Sequence, residues 1–393
     1  MAGIIWAKLR AIARWLIDLL TPWRHSHTLQ AERIQEIIQC FRQDRAGDLH
    51  QRLFGPLRLL QPKSGLERGW GTVTKTFGPL ERTGAAVISN GWWLSAIKIP
   101  LEFQRGKIGL DLTMTPGGSL LGLRFRPLHE LGLGEGWQPP SYVDREVIES
   151  EITLGKGEFQ VGGTLSLPPA HDDRSRWPCL ILVPGSGPID RHSTVQGNQP
   201  FKDLAWGLAC RGIASIRFDK VTHTHLKAFR ARKNVTLADE YVEHVADALS
   251  HAHRHPSILP DKVFLLGHSL ATTVVPKLAT LDASVAGCIL MAGPAEPIYR
   301  SFVRQLRYLQ SLDGAEAPYL GKKIEQAEKQ AELADRESLS LSTPAKSLPF
   351  GVGPSYWLDY RTFDPVGTAT ALEKPILVLQ GGRDYQVTVK DDY

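Results

Sequence analysis

Five short apolar runs, separated by stretches with helical spacing, constrain the second half of this chain more than any other feature. Strands with near-continuous apolar sequence are typical of a parallel sheet that is covered by helices on both faces. The sequence therefore predicts an α/β sheet, preceded by an antiparallel hairpin, for residues 146–393. The runs are "CLILV", "IASIRF", "VFLLG", "GCILM" and "PILVL", which begin at Cys179, Ile213, Val263, Gly287 and Pro375.

The first part of the chain has a different pattern. Apolar residues recur at helical spacing from Leu29 to about Leu53, and the period changes to two between Gly69 and Pro127. We expect a small α+β domain at 28–128 and a connector rich in glycine and proline at 129–145. Residues 294–373 interrupt the α/β rhythm with helical sequence, and an insertion of that length predicts a lid.

Residues 1–27 form a separate amphipathic segment. Charged side chains interrupt the apolar residues, so no run approaches the roughly 20 residues that span a bilayer. Two interpretations stay open for residues 1–23. The helix packs on its own protein, or it lies on a membrane surface with Trp6, Trp15 and Trp23 as anchors.

Charge and cysteine content exclude several classes of protein. The 393 residues carry a formal net charge of only +5, without a basic stripe, which argues against a nucleic-acid partner. The four cysteines form no CxxC pair. We therefore expect no disulfide framework and no metal site, and a reducing, cytoplasmic compartment.

The stretch "GHSLA", from Gly267 to Ala271, contains the best candidate nucleophile. It lies between an apolar strand and a helix, where a sharp turn exposes a serine at the carboxyl end of the sheet. Small residues two positions before and after Ser269 allow the strand and helix to approach closely. We predict that Ser269 is a catalytic nucleophile.

An acyl-transfer reaction also needs oxyanion donors and an acid. The backbone N–H of Leu270 directly follows the nucleophile, and "PGSGP" after an earlier strand offers the N–H of Ser186. The catalytic acid is expected in the loop after a later strand, and Asp384 follows the strand that begins at Pro375. We predict these three residues as site residues.

The catalytic base is not evident. A histidine is expected after Asp384, but none occurs between Asp384 and Tyr393. Three explanations stay open: the sequence is shortened at its C-terminus, another histidine substitutes, or the protein is not a catalyst. Candidate substitutes are His192, His223 and His225. The tract "HAHRHP" near His253 is interpreted as a solvated helix end rather than a metal site.

Residues 146–392 resemble a bacterial α/β-hydrolase of the carboxylesterase type, similar to dienelactone hydrolases and prolyl-oligopeptidase-like esterases. The motifs "LVPGSGPIDR", "LGHSLATTVVPKLA" and "PILVLQGGRDYQV" carry the resemblance, and 29–127 resembles a small domain that precedes some members. The sequence departs from the family at Pro184, where histidine is usual, and at Ala271, where glycine is usual. The family's last strand, catalytic histidine and last helix have no counterpart.

This resemblance implies an α/β-hydrolase sheet flanked by helices, with a helical lid and an N-terminal α+β domain. It implies an esterase for small-molecule carboxylic esters, with an acyl-serine intermediate at Ser269, Asp384 as the acid, Ser186 and Leu270 amides as oxyanion donors, and no cofactor. Two other functions stay open. One is an acyltransferase or peptidase on the same scaffold, and the other is a degenerate hydrolase that acts as a binding module.

Overall fold

The computed structural model describes residues 27–90, 94–115, 117–133, 137–169, 176–195, 197–312 and 317–393. It divides into two compact units, Met1–Gln138 and Pro139–Tyr393. The division lies inside the stretch 129–145, which the sequence predicts as a connector. The amphipathic segment 1–27 lies outside the described residues except for its last residue. Within the described residues, no helix is both long and apolar enough to cross a membrane.

The first unit packs helices against a five-stranded antiparallel sheet. Its strand order is β1-β3-β4-β5, and β2 pairs with β3. The helices are α1 (His27–Arg42), α2 (Gly55–Leu60) and α3 (Lys63–Phe77), with a 3-10 helix at Ala46–Arg52. The strands are β1 (Leu80–Thr83), β2 (Val87–Asn90), β3 (Ser95–Phe103), β4 (Gly106–Met114) and β5 (Leu120–Arg126).

Alternation along β3 follows the expected period of two. Ile97, Ile99, Leu101 and Phe103 are buried, whereas the residues between them are partly exposed. The predicted helix is wrong at its end. It stops at Arg42 instead of near Leu53, because Asp44 takes a left-handed conformation and a 3-10 helix follows.

The second unit contains a seven-stranded sheet in the order β12-β11-β10-β8-β9-β7-β6. The five strands from β12 to β9 are parallel, and the hairpin β6–β7 joins them antiparallel through β9. The predicted hairpin and parallel strands are therefore present. The strands are β6 (Ile148–Leu154), β7 (Val161–Leu167), β8 (Trp177–Val183), β9 (Ala214–Phe218), β10 (Ile258–His268), β11 (Val285–Met291) and β12 (Ile376–Leu379).

Helices pack on both faces of the central strands, whereas Leu377, Val378 and Leu379 of the edge strand β12 are exposed. The longest helix between β9 and β10, Leu237–Arg254, begins with a capping box. In it, the side chains of Thr236 and Asp239 each accept a hydrogen bond from the other residue's backbone N–H. The helices are α4 (Pro200–Ala209), α5 (Val221–Thr224), α6 (Leu226–Ala231), α7 (Leu237–Arg254), α8 (Ala271–Leu281), α9 (Ile298–Leu312), α10 (Ala317–Asp335), α11 (Pro354–Tyr360), α12 (Pro365–Ala371) and α13 (Val389–Asp392).

The segment between β11 and β12 contains α9 to α12, which is the predicted helical insertion. The sequence left two roles open for Tyr356 and Trp357 of α11, an acyl pocket or the core. Both are buried in the main hydrophobic core of the second unit. The Tyr356 hydroxyl donates to Glu240 Oε2 at 2.7 Å. Core packing is therefore the role that the structure gives to these two side chains.

Candidate active site

Ser269 occupies a sharp turn between β10, which ends at His268, and α8, which begins at Ala271. Its φ of 52° lies in the left-handed region, which is uncommon for a residue other than glycine. The Ser269 N–H donates to the carbonyl of Met291 at 2.9 Å, so the end of β11 holds the turn in place. A strained serine at a strand-to-helix corner is the geometry of a nucleophile elbow.

Gly267 explains how the turn can be so tight. A Cβ atom at this position would lie 2.8 Å from the carbonyl carbon and oxygen of Ala271 and 2.9 Å from the nitrogen of Thr272. These are backbone atoms of α8, which cannot move aside. The strand and helix therefore approach to a distance that only glycine permits. Ala271 itself is buried, so its single methyl group is accommodated at the position where the resemblance predicts glycine.

The loop after β8 lies directly against this turn. A Cβ atom on Gly185 would lie 3.1 Å from the Cβ atom of Ser269 and 3.1 Å from the carbonyl oxygen of His268. Residue 186 follows directly, so the structure brings the predicted oxyanion loop to the predicted nucleophile. Gly187 has a φ of 90°, which a side chain would oppose. The second glycine of "PGSGP" therefore serves the turn.

Two backbone amides are available beside Ser269. Neither the N–H of Leu270 nor that of Ser186 donates a hydrogen bond to any group in the described residues. Leu270 is buried, whereas Ser186 is exposed at the mouth of the loop. N–H groups that are free at such a turn can donate hydrogen bonds to the negatively charged oxygen that develops from a substrate carbonyl group.

Asp384 follows β12 at the same edge of the sheet, because the carboxyl ends of parallel strands lie together. Its Oδ1 atom accepts from the N–H groups of Gln386 at 2.8 Å and Val387 at 3.2 Å. These bonds fix the carboxylate in its loop. Asp384 is only partly exposed, so its charge is not fully screened by water.

The negative charge of Asp384 acts on His268, which directly precedes Ser269 in the elbow. Burial lowers the pKa of His268 below its ordinary value, and the Asp384 carboxylate opposes this by raising it. The ring of His268 packs edge-on against Phe201 with 6.3 Å between centroids. The ring of His268 therefore lies on the face of the elbow that meets Phe201, within the electrostatic range of Asp384.

The structure gives the three proposed substitute bases different surroundings. His192 Nδ1 accepts from Arg217 Nε at 3.3 Å, and burial and the Arg217 charge lower the pKa of His192. His225 Nε2 lies 2.6 Å from the carbonyl oxygen of Gln160. His223 is exposed. In the described part of the chain, none of the three is hydrogen-bonded to Ser269.

The histidine tract at the end of α7 has local contacts. His253 Nδ1 lies 2.6 Å from the carbonyl oxygen of Leu249, and the rings of His251 and His255 are 6.4 Å apart. Burial lowers the pKa of both His251 and His255. Across the described residues, no group of three or more His, Cys, Asp or Glu side chains could hold a metal ion.

Lys220 contacts the loop of the candidate site, and the sequence did not reveal it. It follows β9 and is 1% exposed, and its Nζ donates to the carbonyl oxygen of Gly185 at 2.7 Å. The same Nζ lies 2.8 Å from Glu240 Oε1 and 2.9 Å from the Tyr241 hydroxyl. Burial lowers the pKa of Lys220, and Glu240 opposes this. The signal in the sequence was the charged pair "DK" after an apolar strand, whose partner cannot be inferred from spacing.

Comparison with known proteins shows a similarity to a bacterial esterase. Esterase EstD of Thermotoga maritima is 31% identical over 291 residues, which are 74% of this chain and 64% of Esterase EstD. The chain therefore spans somewhat less than two thirds of that relative's length. No protein-family model matches the chain.

Solved structures of low sequence identity are also similar. The α/β hydrolase GrgF from Penicillium sp. sh18 has a TM-score of 0.39 at 16% identity, and covers 63% of this chain and 84% of its own. Est1E from Butyrivibrio proteoclasticus has a TM-score of 0.38 at 14% identity, and covers 61% of this chain and 81% of its own. By its own sheet order and its strand-to-helix turn at Ser269 the second unit has the α/β-hydrolase fold, and the chain is similar in sequence to a bacterial esterase.

Proposed function

We propose that this protein hydrolyses carboxylic esters of small molecules through an acyl-serine intermediate on Ser269. The observation that carries the proposal is the left-handed turn at Ser269, with the Gly185 backbone against it and two unused amides beside it. The similarity to a protein named an esterase supports the same reaction.

The proposed reaction has two steps. Ser269 Oγ attacks the acyl carbon, its proton passes to a base, and the ester bond breaks to release the alcohol with that proton. Water then attacks the acyl-serine, which releases the carboxylic acid and restores the hydroxyl. In both steps the amides of Leu270 and Ser186 donate hydrogen bonds to the oxyanion. Each such donor typically raises the rate by about 10²- to 10³-fold.

Asp384 is the proposed acid that orients the base, and a histidine is the proposed base. His223 is the first to test, because its ring is exposed, whereas His192 and His225 contact Arg217 and Gln160. Replacement of the true base should lower kcat by about 10⁴-fold. Each histidine is therefore changed to alanine separately. Hydrolysis that persists in all three variants would exclude all three as the base.

The test of the reaction is a product analysis on the 393-residue chain. With p-nitrophenyl acetate, the wild type should release p-nitrophenol and acetate in equal amounts, and Ser269→Ala should release neither above the uncatalysed rate. Gly353→Ala, at a position with open space around it, is the matched control and should behave as the wild type. Equal turnover by the wild type and Ser269→Ala would contradict the proposal.

The proposed location is the cytoplasm, and contact of residues 1–23 with a membrane surface is the alternative to their packing on the protein itself. The support for a reducing compartment is that all four cysteines are free, and that three of them are buried. Burial raises the pKa of Cys179 to about 12 and that of Cys288 to about 11, so neither thiol is reactive. Co-sedimentation with anionic vesicles, compared with a chain that lacks residues 1–23, tests the membrane contact.

A further inference from the structure

Lys220 is a buried ammonium whose hydrogen-bonding capacity is fully used. Its Nζ donates to the Gly185 carbonyl at 2.7 Å and to the Tyr241 hydroxyl at 2.9 Å, and Glu240 Oε1 lies 2.8 Å away. An ammonium offers three donors, so all three are occupied. Burial of a charge is costly unless it is paired and hydrogen-bonded, and here both conditions are met.

The Gly185 carbonyl is held by two donors. Besides Lys220 Nζ, the Tyr241 hydroxyl donates to it at 2.8 Å. Both donors come from the interior of the unit, because Tyr241 is fully buried in α7 and Lys220 nearly so. A carbonyl oxygen has two lone pairs, and both are therefore directed inward.

This arrangement fixes a neighbouring amide. The carbonyl of Gly185 and the N–H of Ser186 belong to one peptide unit, which is planar and trans, so the two bonds point in opposite directions. A carbonyl that is held toward Lys220 and Tyr241 turns the Ser186 N–H away from the interior. Gly185 itself lies against Ser269, since its Cβ position would be 3.1 Å from that of the serine.

We propose that Lys220 is a positioning residue, which sets the orientation of the Ser186 N–H as an oxyanion donor through the Gly185 carbonyl. Lys220 also withdraws electron density from the carbonyl oxygen, which strengthens the N–H of the same peptide as a donor. The inference rests on the proposed esterase function. Lys220 touches neither substrate nor reacting atoms in this account, and acts through the Gly185–Ser186 peptide.

The main variant is Lys220→Met, which keeps the length of the side chain and removes its donors. Since the full loss of an oxyanion donor costs about 10²- to 10³-fold, we expect kcat to fall by about 10- to 100-fold. KM should change by less than about threefold, because the donor acts on the transition state. Tyr241→Phe removes the second donor and should give a smaller fall in kcat.

Two further variants separate positioning from folding. Lys220→Met with Glu240→Gln leaves no unpaired carboxylate in the interior, and should fold while it keeps the fall in kcat. Lys374→Met is the matched control, because Lys374 Nζ also donates to two backbone carbonyls, those of Ala279 and Asp282 at 2.8 Å. The control should keep the wild-type kcat.

A direct measurement of the amide does not depend on activity. In protein labelled with ¹⁵N-serine, the Ser186 signal is identified by its loss in Ser186→Ala. We expect this signal to shift in Lys220→Met and in the double variant, and to stay in place in Lys374→Met. An unmoved signal, or a kcat that equals that of the control, would overturn the inference. If the wild type shows no hydrolysis, the proposed function fails, and the amide signal still decides the role of Lys220.

Discussion

Gly185 and Ser269 lie so close that a Cβ atom on the glycine would be only 3.1 Å from the Cβ atom of the serine. The two residues come from different strand ends, β8 and β10, which pair in parallel. This contact places a loop with an unused amide at the nucleophile. The pairing of β8 with β10 fixes this contact, so the loop and the nucleophile are already together before any substrate is bound.

Gly185→Ala should impair chemistry more than stability. The new methyl group would push Ser269 or the loop aside by a few tenths of an ångström, and even a displacement near 1 Å costs about 10²-fold in rate. We expect kcat/KM for p-nitrophenyl acetate to fall by about three- to tenfold. Gly353→Ala, which meets nothing within 4 Å, should keep the wild-type value. Unchanged kinetics in Gly185→Ala would mean that the loop does not need this contact.

Gly267→Ala should destabilise the fold itself. Its methyl group would collide with backbone atoms of Ala271 and Thr272 at 2.8–2.9 Å, and these cannot rotate away. Overpacking of this kind costs about 1–3 kcal/mol in the free energy of unfolding, measured by urea titration. A loss below about 0.5 kcal/mol would show that the strand and helix separate easily.

Asp384→Asn should lower the pKa of His268 further. Burial already holds that pKa below its ordinary value, and Asp384 is the group that raises it. The neutral form of His268 is favoured in the folded protein. Because the folded protein disfavours protonated His268, the free energy of unfolding is highest above the ordinary pKa of 6.5 and decreases as the pH falls below it. NMR titration of the His268 ring measures the shift.

The control for that titration is Glu373→Gln, at an exposed position outside the site. It should leave the His268 titration unchanged. A His268 pKa that is the same in the wild type and in Asp384→Asn would contradict the placement of Asp384 beside the elbow.

Trp357→Ala should destabilise the second unit strongly. The indole is 2% exposed and packs on Tyr299 and Tyr356, each with 5.2 Å between ring centroids. Removal of a buried Trp side chain costs about 3–5 kcal/mol. Phe350→Ala, also in the insertion but 52% exposed, is the control with a small expected loss. An acyl-chain preference that changes without loss of stability would instead indicate a pocket role for Trp357.

The parts of this fold that depend on local sequence could be predicted. The apolar strands, the hairpin β6–β7 and the elbow at Ser269 all follow from residue patterns within a few positions. The end of α1 was missed because it depends on the backbone of Asp44, whose left-handed conformation has no clear signature in the sequence.

Contacts between distant segments could not be predicted. Lys220 and Gly185 are 35 positions apart, and their hydrogen bond exists because β8 and β9 are neighbours in the sheet. A charged residue after an apolar strand is usually solvated, so nothing local indicated that Lys220 is buried. Similarly, the sequence placed Tyr356 in the insertion but could not show that its hydroxyl bonds to Glu240 of α7.

The most direct test of the account is covalent labelling of the 393-residue chain with a fluorophosphonate, followed by intact-mass measurement and peptide mapping. Attack by Ser269 Oγ on phosphorus expels fluoride and leaves one phosphonyl group. We predict a single adduct on Ser269 in the wild type and none in Ser269→Ala. A folded wild-type chain that gains no adduct, or an adduct that persists in Ser269→Ala, would contradict Ser269 as an activated nucleophile.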